Sequence, residues 1–470
     1  MKQELEKILS IKLNKVHFVG IGGSSMSGLA SILIENGINV TGSDMQSSSY
    51  TDRLVQAGAD VFIGHHSDNV DFTCSLIVYT AAIDDENPEL KKGRDLSIPM
   101  LERSDFLGLL TKAYDMTIAV AGTHGKTTTS SLIASILYTS GLDPTVSVGG
   151  VVPAINGNYR VGKSDFFVTE ACEYVDSFLK SSHKIGIILN IELDHVDYFQ
   201  SLTQVKESFK NFASIIPPDG YLIANGDSDD ILDICSDLKC NVVTTGLNKN
   251  NDYRGMNISY DNYGKPSFDV YKKGSFLSRF TLSIPGEHNV LNSLAAIACA
   301  DICDVPIESL SESLKNFTGA GRRFEPRGEI NGITVVEDYA HHPTELKVTI
   351  EACKNYKPKR LIVIFQPHTF SRTHYFFNEL SNALSGADYV VTTDIYAARE
   401  KNKWPIRNED LANAINKSHL SKAVHISDFE EISDHVSSIA NPGDFILVAG
   451  AGTINKAAYD IAEKLKIKFK

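Results

Sequence analysis

The sequence predicts an α/β protein organised in three segments, and three observations predict it. Short β-branched or aromatic runs alternate with helical patterns, the signature of a parallel, doubly wound sheet. The alternation begins at Lys15, restarts at Met116 and restarts again beyond Gly319. At 470 residues the chain is also too long for one ordinary core, which favours two to four domains.

The first segment runs to about residue 112. Residues 15–20 read as a strand ending in glycine, 26–36 as a helix and 40–43 as a second strand, closing a βαβ unit. Strand-like runs follow at 59–63 and 76–79. The second segment opens at 116–122 with a strand that enters a glycine loop and then a helix, with further strands at 165–169, 185–190 and 221–225. A polar stretch over 246–278 suggests antiparallel strands and turns, and 288–303 reads as an alanine-rich helix suited to close packing. The third segment begins near 319–323 and opens on a strand at 334–338, followed by strands at 361–365, 389–392 and 445–449. The chain carries no fixed-period repeat and no Pro-rich linker.

Composition narrows the function classes. A hydrophobic share of 42% and a charged share of 22% are ordinary for a globular protein. The formal net charge of -13 argues against a nucleic-acid partner, although an acidic protein can still hold a local basic pocket. No continuous apolar core in the first residues suggests a signal peptide, and runs such as 361–365 fall far short of a membrane span. Seven scattered cysteines, odd in number and without a C-x-x-C pair, read as reduced thiols in a reducing cytoplasm.

The strongest chemical signal is Ala121-Gly122-Thr123-His124-Gly125-Lys126-Thr127-Thr128-Thr129. Small residues there let backbone amides converge on phosphate, Lys126 is placed to reach β- and γ-phosphates, and the Thr127 hydroxyl to ligate Mg²⁺. Val120 stands where the common pattern has glycine, so this is a variant loop. Glu170 and Glu173 follow one strand, and Asp194, His195 and Asp197 follow another; both groups are candidates to face the phosphates. The first glycine cluster (Gly20, Gly22, Gly23, Ser24) approximates a dinucleotide fingerprint with Ser25 at its third position and Asp44 near a ribose-binding place. It suits any pyrophosphate ligand, a nicotinamide dinucleotide or a nucleotide sugar. In the third segment Arg322-Arg323, Asp338-Tyr339-Ala340-His341-His342-Pro343 and the run 366–373 concentrate polar groups after strands, where arginines would neutralise a carboxylate or a phosphorylated intermediate.

These motifs (G-T-H-G-K-T-T-T, E-A-C-E-Y, N-I-E-L-D-H, G-E-H-N-V-L-N, G-R-R-F-E, D-Y-A-H-H-P-T-E and F-Q-P-H-T-F-S-R-T) resemble those of the Mur ligases, in order from Gly20 to Gly452. The resemblance implies a Rossmann-like N-terminal domain over 1–112 that binds a UDP-sugar. It further implies a central P-loop mononucleotide-binding ATPase domain over 113–320 and a Rossmann-like α/β domain over 321–470 serving ATP and the amino acid. The G-I-G-G opening and the D-Y-A-H-H-P run favour the alanine-adding member, so the implied substrates are UDP-N-acetylmuramate and L-alanine, joined through an acyl phosphate with release of ADP and phosphate. A sister ligase that attaches a recycled murein tripeptide, and a nicotinamide-dependent oxidoreductase, stand as the alternatives.

Carried over residue by residue, the resemblance gives ATP to Gly122, Thr123, His124, Gly125, Lys126, Thr127, Thr128, Asn289, Asn292, Arg323 and Asp338. It gives two Mg²⁺, replaceable by Mn²⁺, to Thr127, Glu170 and His195. The UDP-sugar goes to Gly20, Gly22, Gly23, Ser24, Asp44 and Thr80, and the amino-acid pocket to Tyr339, His341 and Arg372. Lys126, His195, Arg323, His341 and Arg372 are the implied catalytic set, with His341 the candidate base for the amine. Thr369 stands where many relatives have Arg, and Thr453 where Asp is common. A cytoplasmic monomer or weak homodimer without membrane or nucleic-acid partners is expected.

Overall fold

A computed structural model describes residues 1–418 and 422–469, which form two compact units. One comprises residues 1–191, 206–254 and 293–313; the other comprises 192–205, 255–292 and 314–470.

The first unit opens with a five-stranded, all-parallel sheet. Its strands are β1 (Lys15–Val19), β2 (Asn39–Asp44), β3 (Asp60–Ile63), β4 (Leu76–Tyr79) and β5 (Met100–Glu102), in spatial order β3-β2-β1-β4-β5. The central strand β1 buries Val16, Phe18 and Val19, and the helix Ser24–Glu35 covers it with Met26, Leu29 and Leu33. Fully buried apolar side chains of this size each contribute about 1.5–3 kcal/mol by leaving water, which sets the strand register.

Beneath the carboxyl ends of β1 and β2 lies a buried polar knot. The Glu89 carboxylate, fully buried, accepts hydrogen bonds from Ser43 Oγ at 2.5 Å and Asn69 Nδ2 at 2.6 Å, and lies 3.8 Å from His17 Nε2. Burial works against its charge, but His17, Ser43 and Asn69 outweigh it and hold Glu89 down to about 2.

A second sheet in the same unit contains β6 (Met116–Ala121), β7 (Thr145–Val152), β8 (Gly157–Arg160), β9 (Phe166–Glu170), β10 (Ile185–Ile188), β11 (Tyr221–Asn225) and β12 (Asn241–Gly246). Their order is β12-β11-β10-β6-β9-β7-β8, parallel except for the β7–β8 pair. The strand entering the glycine loop, β6, is therefore flanked by β9 and β10, whose carboxyl ends deliver Glu170 and Asn190 to the same edge. The polar stretch expected to form antiparallel strands and turns holds a strand meander that extends this sheet. β13 (Tyr253–Tyr260) joins β12 in parallel over its first residues, then turns at 261–265 into its other neighbour β14 (Pro266–Lys272), which in turn pairs antiparallel with β15 (Ser275–Thr281).

The second unit holds a six-stranded sheet of β16 (Glu325–Ile330), β17 (Ile333–Asp338), β18 (Arg360–Phe365), β19 (Tyr389–Thr392), β20 (Lys422–His425) and β21 (Asp444–Ala449), ordered β16-β17-β21-β18-β19-β20. Helices cover both faces, and β18 and β21 are near-continuous apolar runs because parallel central strands are buried on both sides. The expected opening strand is preceded by the antiparallel edge strand β16. Its E-P-R-G-E-I sequence carries Pro and Gly, which only an edge tolerates, so it gives no strand signal. Among the described residues the seven cysteines are unpaired, and no helix is long and apolar enough to cross a membrane.

The Glu89 knot makes a testable statement. A carboxyl group depressed on folding stabilises above its unfolded value of 4.5 and loses that contribution as pH falls towards about 2. Guanidinium unfolding measured across that window should show stability falling with acid, with a shallower dependence in Glu89→Gln.

Candidate active site

The phosphate loop is shaped by two glycines that no other residue replaces cheaply. Gly122 has φ +145°, and a Cβ there would lie 3.0 Å from the Leu189 Cβ. Gly125, at φ +83°, caps the helix Lys126–Thr139, whose free amides and positive end face the loop. Asn190 clamps the turn from the neighbouring strand end. Its Oδ1 accepts from His124 N at 2.7 Å, its Nδ2 donates to His124 O at 3.0 Å, and its carbonyl accepts from Thr123 N at 3.2 Å.

Lys126 folds back over this loop and donates to the carbonyls of Gly122 at 2.5 Å and Thr123 at 3.2 Å. It also pairs with Glu173, 2.9 Å from Oε2, a carboxylate only 2% exposed. Burial disfavours the ammonium, but Glu173 more than offsets it, so Lys126 stays charged well above its ordinary range. Thr127 and Glu170 converge across Gly149. A Cβ on that glycine would sit 3.0 Å from Glu170 Oε1 and 3.3 Å from Thr127 Oγ1. Gly149 N donates to Glu170 Oε1 at 2.6 Å, and Ser130 Oγ lies 3.4 Å from the same oxygen. Thr128, one residue beyond Thr127, lies in the first turn of the helix.

The N-terminal candidates gather at the carboxyl edge of their own sheet. Gly20 N and Ile21 N both donate to the Ser43 carbonyl, at 2.8 and 2.9 Å, while Gly22 N donates to Asp44 Oδ2 at 2.9 Å. A Cβ on Gly20 would meet Thr80 Cγ2 at 2.7 Å. Gly23 caps the helix that Ser24 begins. Ser25, the departure from the dinucleotide pattern, accepts from Arg103 Nη1 at 3.3 Å.

In the second unit Asp194, His195, Arg323, Asp338, Tyr339, His341 and Arg372 come together with His368. Arg372 grips Asp194 through Nε at 2.9 Å and Nη2 at 3.1 Å, and the pair holds the buried Asp194 carboxyl far below the usual range. His341 Nδ1 lies 3.0 Å from the Tyr339 carbonyl, and its ring stands 5.5 Å from that of His368. Burial lowers His341 to about 4 and His368 to about 3, so both rings are neutral at physiological pH. Asp338 accepts from Phe324 N and Ala340 N, both at 2.7 Å, yet burial pushes it up to about 6 against the pull of Arg323. The Arg322 and Arg323 guanidinium groups lie 4.8 and 4.9 Å from the Tyr339 ring centre. Asn289 and Asn292 form a separate buried pair at the start of the helix Glu287–Ile302. Asn289 Nδ2 donates to the Pro285 carbonyl at 2.7 Å, and Asn292 Nδ2 to Asn289 Oδ1 at 3.1 Å.

Sequence reasoning named Glu173 only as an alternative to Glu170 and passed over Asn190, Gly149 and His368 as individual site residues. Asn190 and Glu173 follow strands, which is a usable signal. Gly149 lies in β7, a glycine-containing strand that the sequence pattern does not mark.

A glycine-rich turn between strand and helix, with a charged lysine and a hydroxyl–carboxylate pair, defines a nucleotide-phosphate-binding α/β protein. Family models match the whole domain series: the Mur ligase family catalytic domain at residues 15–115, the Mur ligase middle domain at 120–300 and the Mur ligase glutamate ligase domain at 322–452. The chain belongs to the Mur ligase family. It is 47% identical over 453 residues to a UDP-N-acetylmuramate–L-alanine ligase of Caldanaerobacter subterraneus subsp. tengcongensis, covering 96% of this chain and 97% of the relative. A ligase of the same name from Clostridium acetobutylicum is 47% identical over 442 residues, with coverage of 94% and 96%. The crystal structure of UDP-N-acetylmuramate-alanine ligase from Thermotoga maritima superposes with a TM-score of 0.81 at 28% identity, covering 97% of this chain and 99% of that one.

Replacing Lys126 by Ala should abolish ATP turnover and, by leaving Glu173 buried without its cation, lower stability by about 3–5 kcal/mol. Adding Glu173→Gln should restore most of that stability in denaturant titrations while activity stays lost.

Proposed function

We propose that this chain joins L-alanine to the lactyl carboxylate of UDP-N-acetylmuramate at the expense of ATP, the first peptide step of peptidoglycan precursor synthesis. The observation that carries the reading is 47% identity, over 96% of the chain, to a ligase of that activity. The charged Lys126 on a glycine turn supports it independently, because phosphoryl transfer is catalysed chiefly by positioning and electrostatics.

In this reading residues 1–112 hold the UDP-sugar, with Asp44 and Thr80 bordering the glycine turn that accepts its diphosphate. Residues 113–320 hold ATP, whose phosphates lie on the amides from Gly122 to Thr128 under Lys126, with Asn289 and Asn292 towards the adenine. Residues 321–470 supply Arg323 and Asp338 to the nucleotide, and Tyr339 and His341 to the amino acid.

Thr127 Oγ1 and Glu170 present hard oxygen donors to one small space that only a glycine at 149 leaves open, which fits a divalent cation such as Mg²⁺. His195 is the proposed contact to a second ion. Bound there, the ions would offset the charge that gathers as the substrate carboxylate attacks the γ-phosphate. Arg323 then faces the charge of the acyl phosphate. His341 is the base for the alanine amine: its Nδ1 lies 3.0 Å from the Tyr339 carbonyl and 3.3 Å from Glu345 Oε2, two acceptors that favour the proton on Nδ1 and give Nε2 the role of accepting the amine's proton.

Purified protein with ATP, Mg²⁺ and UDP-N-acetylmuramate should release phosphate when L-alanine is added. Release only with a murein tripeptide would favour the sister ligase instead, and NAD(H) binding without carboxylate-dependent ATP turnover would overturn the ligase reading. His341→Asn should lower kcat by about 100-fold in the same assay, leaving KM for ATP near its original value.

A further inference from the structure

Arg372 does not present an open cation. It follows β18 on the short helix Phe370–Tyr375 and is only 5% exposed. Nε and Nη2 are taken by the two oxygens of Asp194, and Nη1 lies 2.9 Å from His368 Nδ1 and 3.4 Å from the His368 carbonyl. Such a two-pronged pairing fixes both partners in orientation as well as charge.

Asp194 passes that constraint on. Besides Arg372, its Oδ1 accepts the backbone N–H of His195 at 2.7 Å. His195 has φ +50°, a left-handed conformation uncommon for a non-glycine residue. The carbonyl of His195 accepts from Tyr198 N at 2.8 Å and Phe199 N at 2.9 Å, closing the turn, and Val196 packs against the core of the six-stranded sheet. This residue is thus held from its amide by Asp194 and from its carbonyl by the turn.

We propose that Asp194 and Arg372 are a positioning pair that sets the direction of the His195 side chain through its backbone. The proposal rests on the reading of His195 as a contact for the metal-bound nucleotide. Asp194 would hold His195 in the single backbone state from which its ring reaches that ligand, and Arg372 keeps Asp194 aimed.

The test compares Asp194→Asn, Arg372→Met, the double variant and His195→Ala in the full chain. The readouts are denaturant midpoint, kcat, KM for each substrate, and Mn²⁺ binding in the presence of ADP, followed by the paramagnetic resonance of free Mn²⁺. Each single variant leaves one buried charge unpaired and should be destabilised; the double variant should regain most of the midpoint. Under the proposal, kcat of the double variant remains down by about 100-fold and its Mn²⁺ affinity falls, approaching the behaviour of His195→Ala. Recovery of kcat together with the midpoint would make the pair purely structural and overturn the proposal. A rise in KM for L-alanine in Arg372→Met, with Mn²⁺ binding unchanged, would place Arg372 on the substrate and overturn it as well. Unchanged Mn²⁺ binding and kcat in His195→Ala would instead refute the role of His195, while phosphate release with L-alanine would leave the ligase activity standing.

Discussion

A parallel strand hands its chain over at the same edge as its neighbours, and the polar chemistry of this protein is collected at such edges. Gly122 leaves β6, Glu170 ends β9 and Asn190 follows β10, so three strands supply the phosphate turn, its carboxylate and its clamp. The same rule gathers Gly20, Asp44 and Thr80 after β1, β2 and β4, and Asp338 and His368 at the ends of β17 and β18. Strand order decides which residues meet, because neighbouring strand ends lie about 5 Å apart whatever their separation in sequence.

Charge burial is the second theme. Lys126 with Glu173, Arg372 with Asp194 and Arg322 with Glu337 are close, largely buried pairs. Pairs of this kind add little net stability, since desolvation opposes the attraction, but removing one partner is severe. They act instead as geometric constraints. Lys126 is kept charged and folded over its loop, and Arg322 reaches the carbonyls of Gly450 and Gly452, at 3.0 Å each, tying the last glycine turn to the segment that precedes β16. The neutral imidazoles of His341 and His368 beside Arg372 show the complementary effect, in which burial suppresses a charge that nearby cations would repel.

Much of this organisation was legible in the residues. Strands such as Leu76–Tyr79, Tyr221–Asn225 and Tyr389–Thr392 are short apolar runs bounded by polar turns, and their limits follow directly from that contrast. The hairpin of β7 and β8, the edge strand β16 and the parallel pairing of β13 carried weaker signals, since glycine, proline and polar residues there are tolerated by neighbours, not by local propensity. The G-T-H-G-K-T-T-T run announced phosphate binding because its chemistry is local: a glycine turn, a helix start and a lysine lie within a few residues.

Sequence alone determined the fold class, the phosphate turn and the family resemblance, all of which depend on short-range spacing and on the order of motifs. Tertiary structure decided the pairings. That Glu173, not Glu170, takes Lys126, that Asn190 clamps His124, and that Arg372 is consumed by Asp194 at a separation of 178 residues are facts of strand order and helix placement. A charged side chain carries its sign in the sequence. Which opposite charge shares its low-dielectric surroundings is fixed only when the chain has folded.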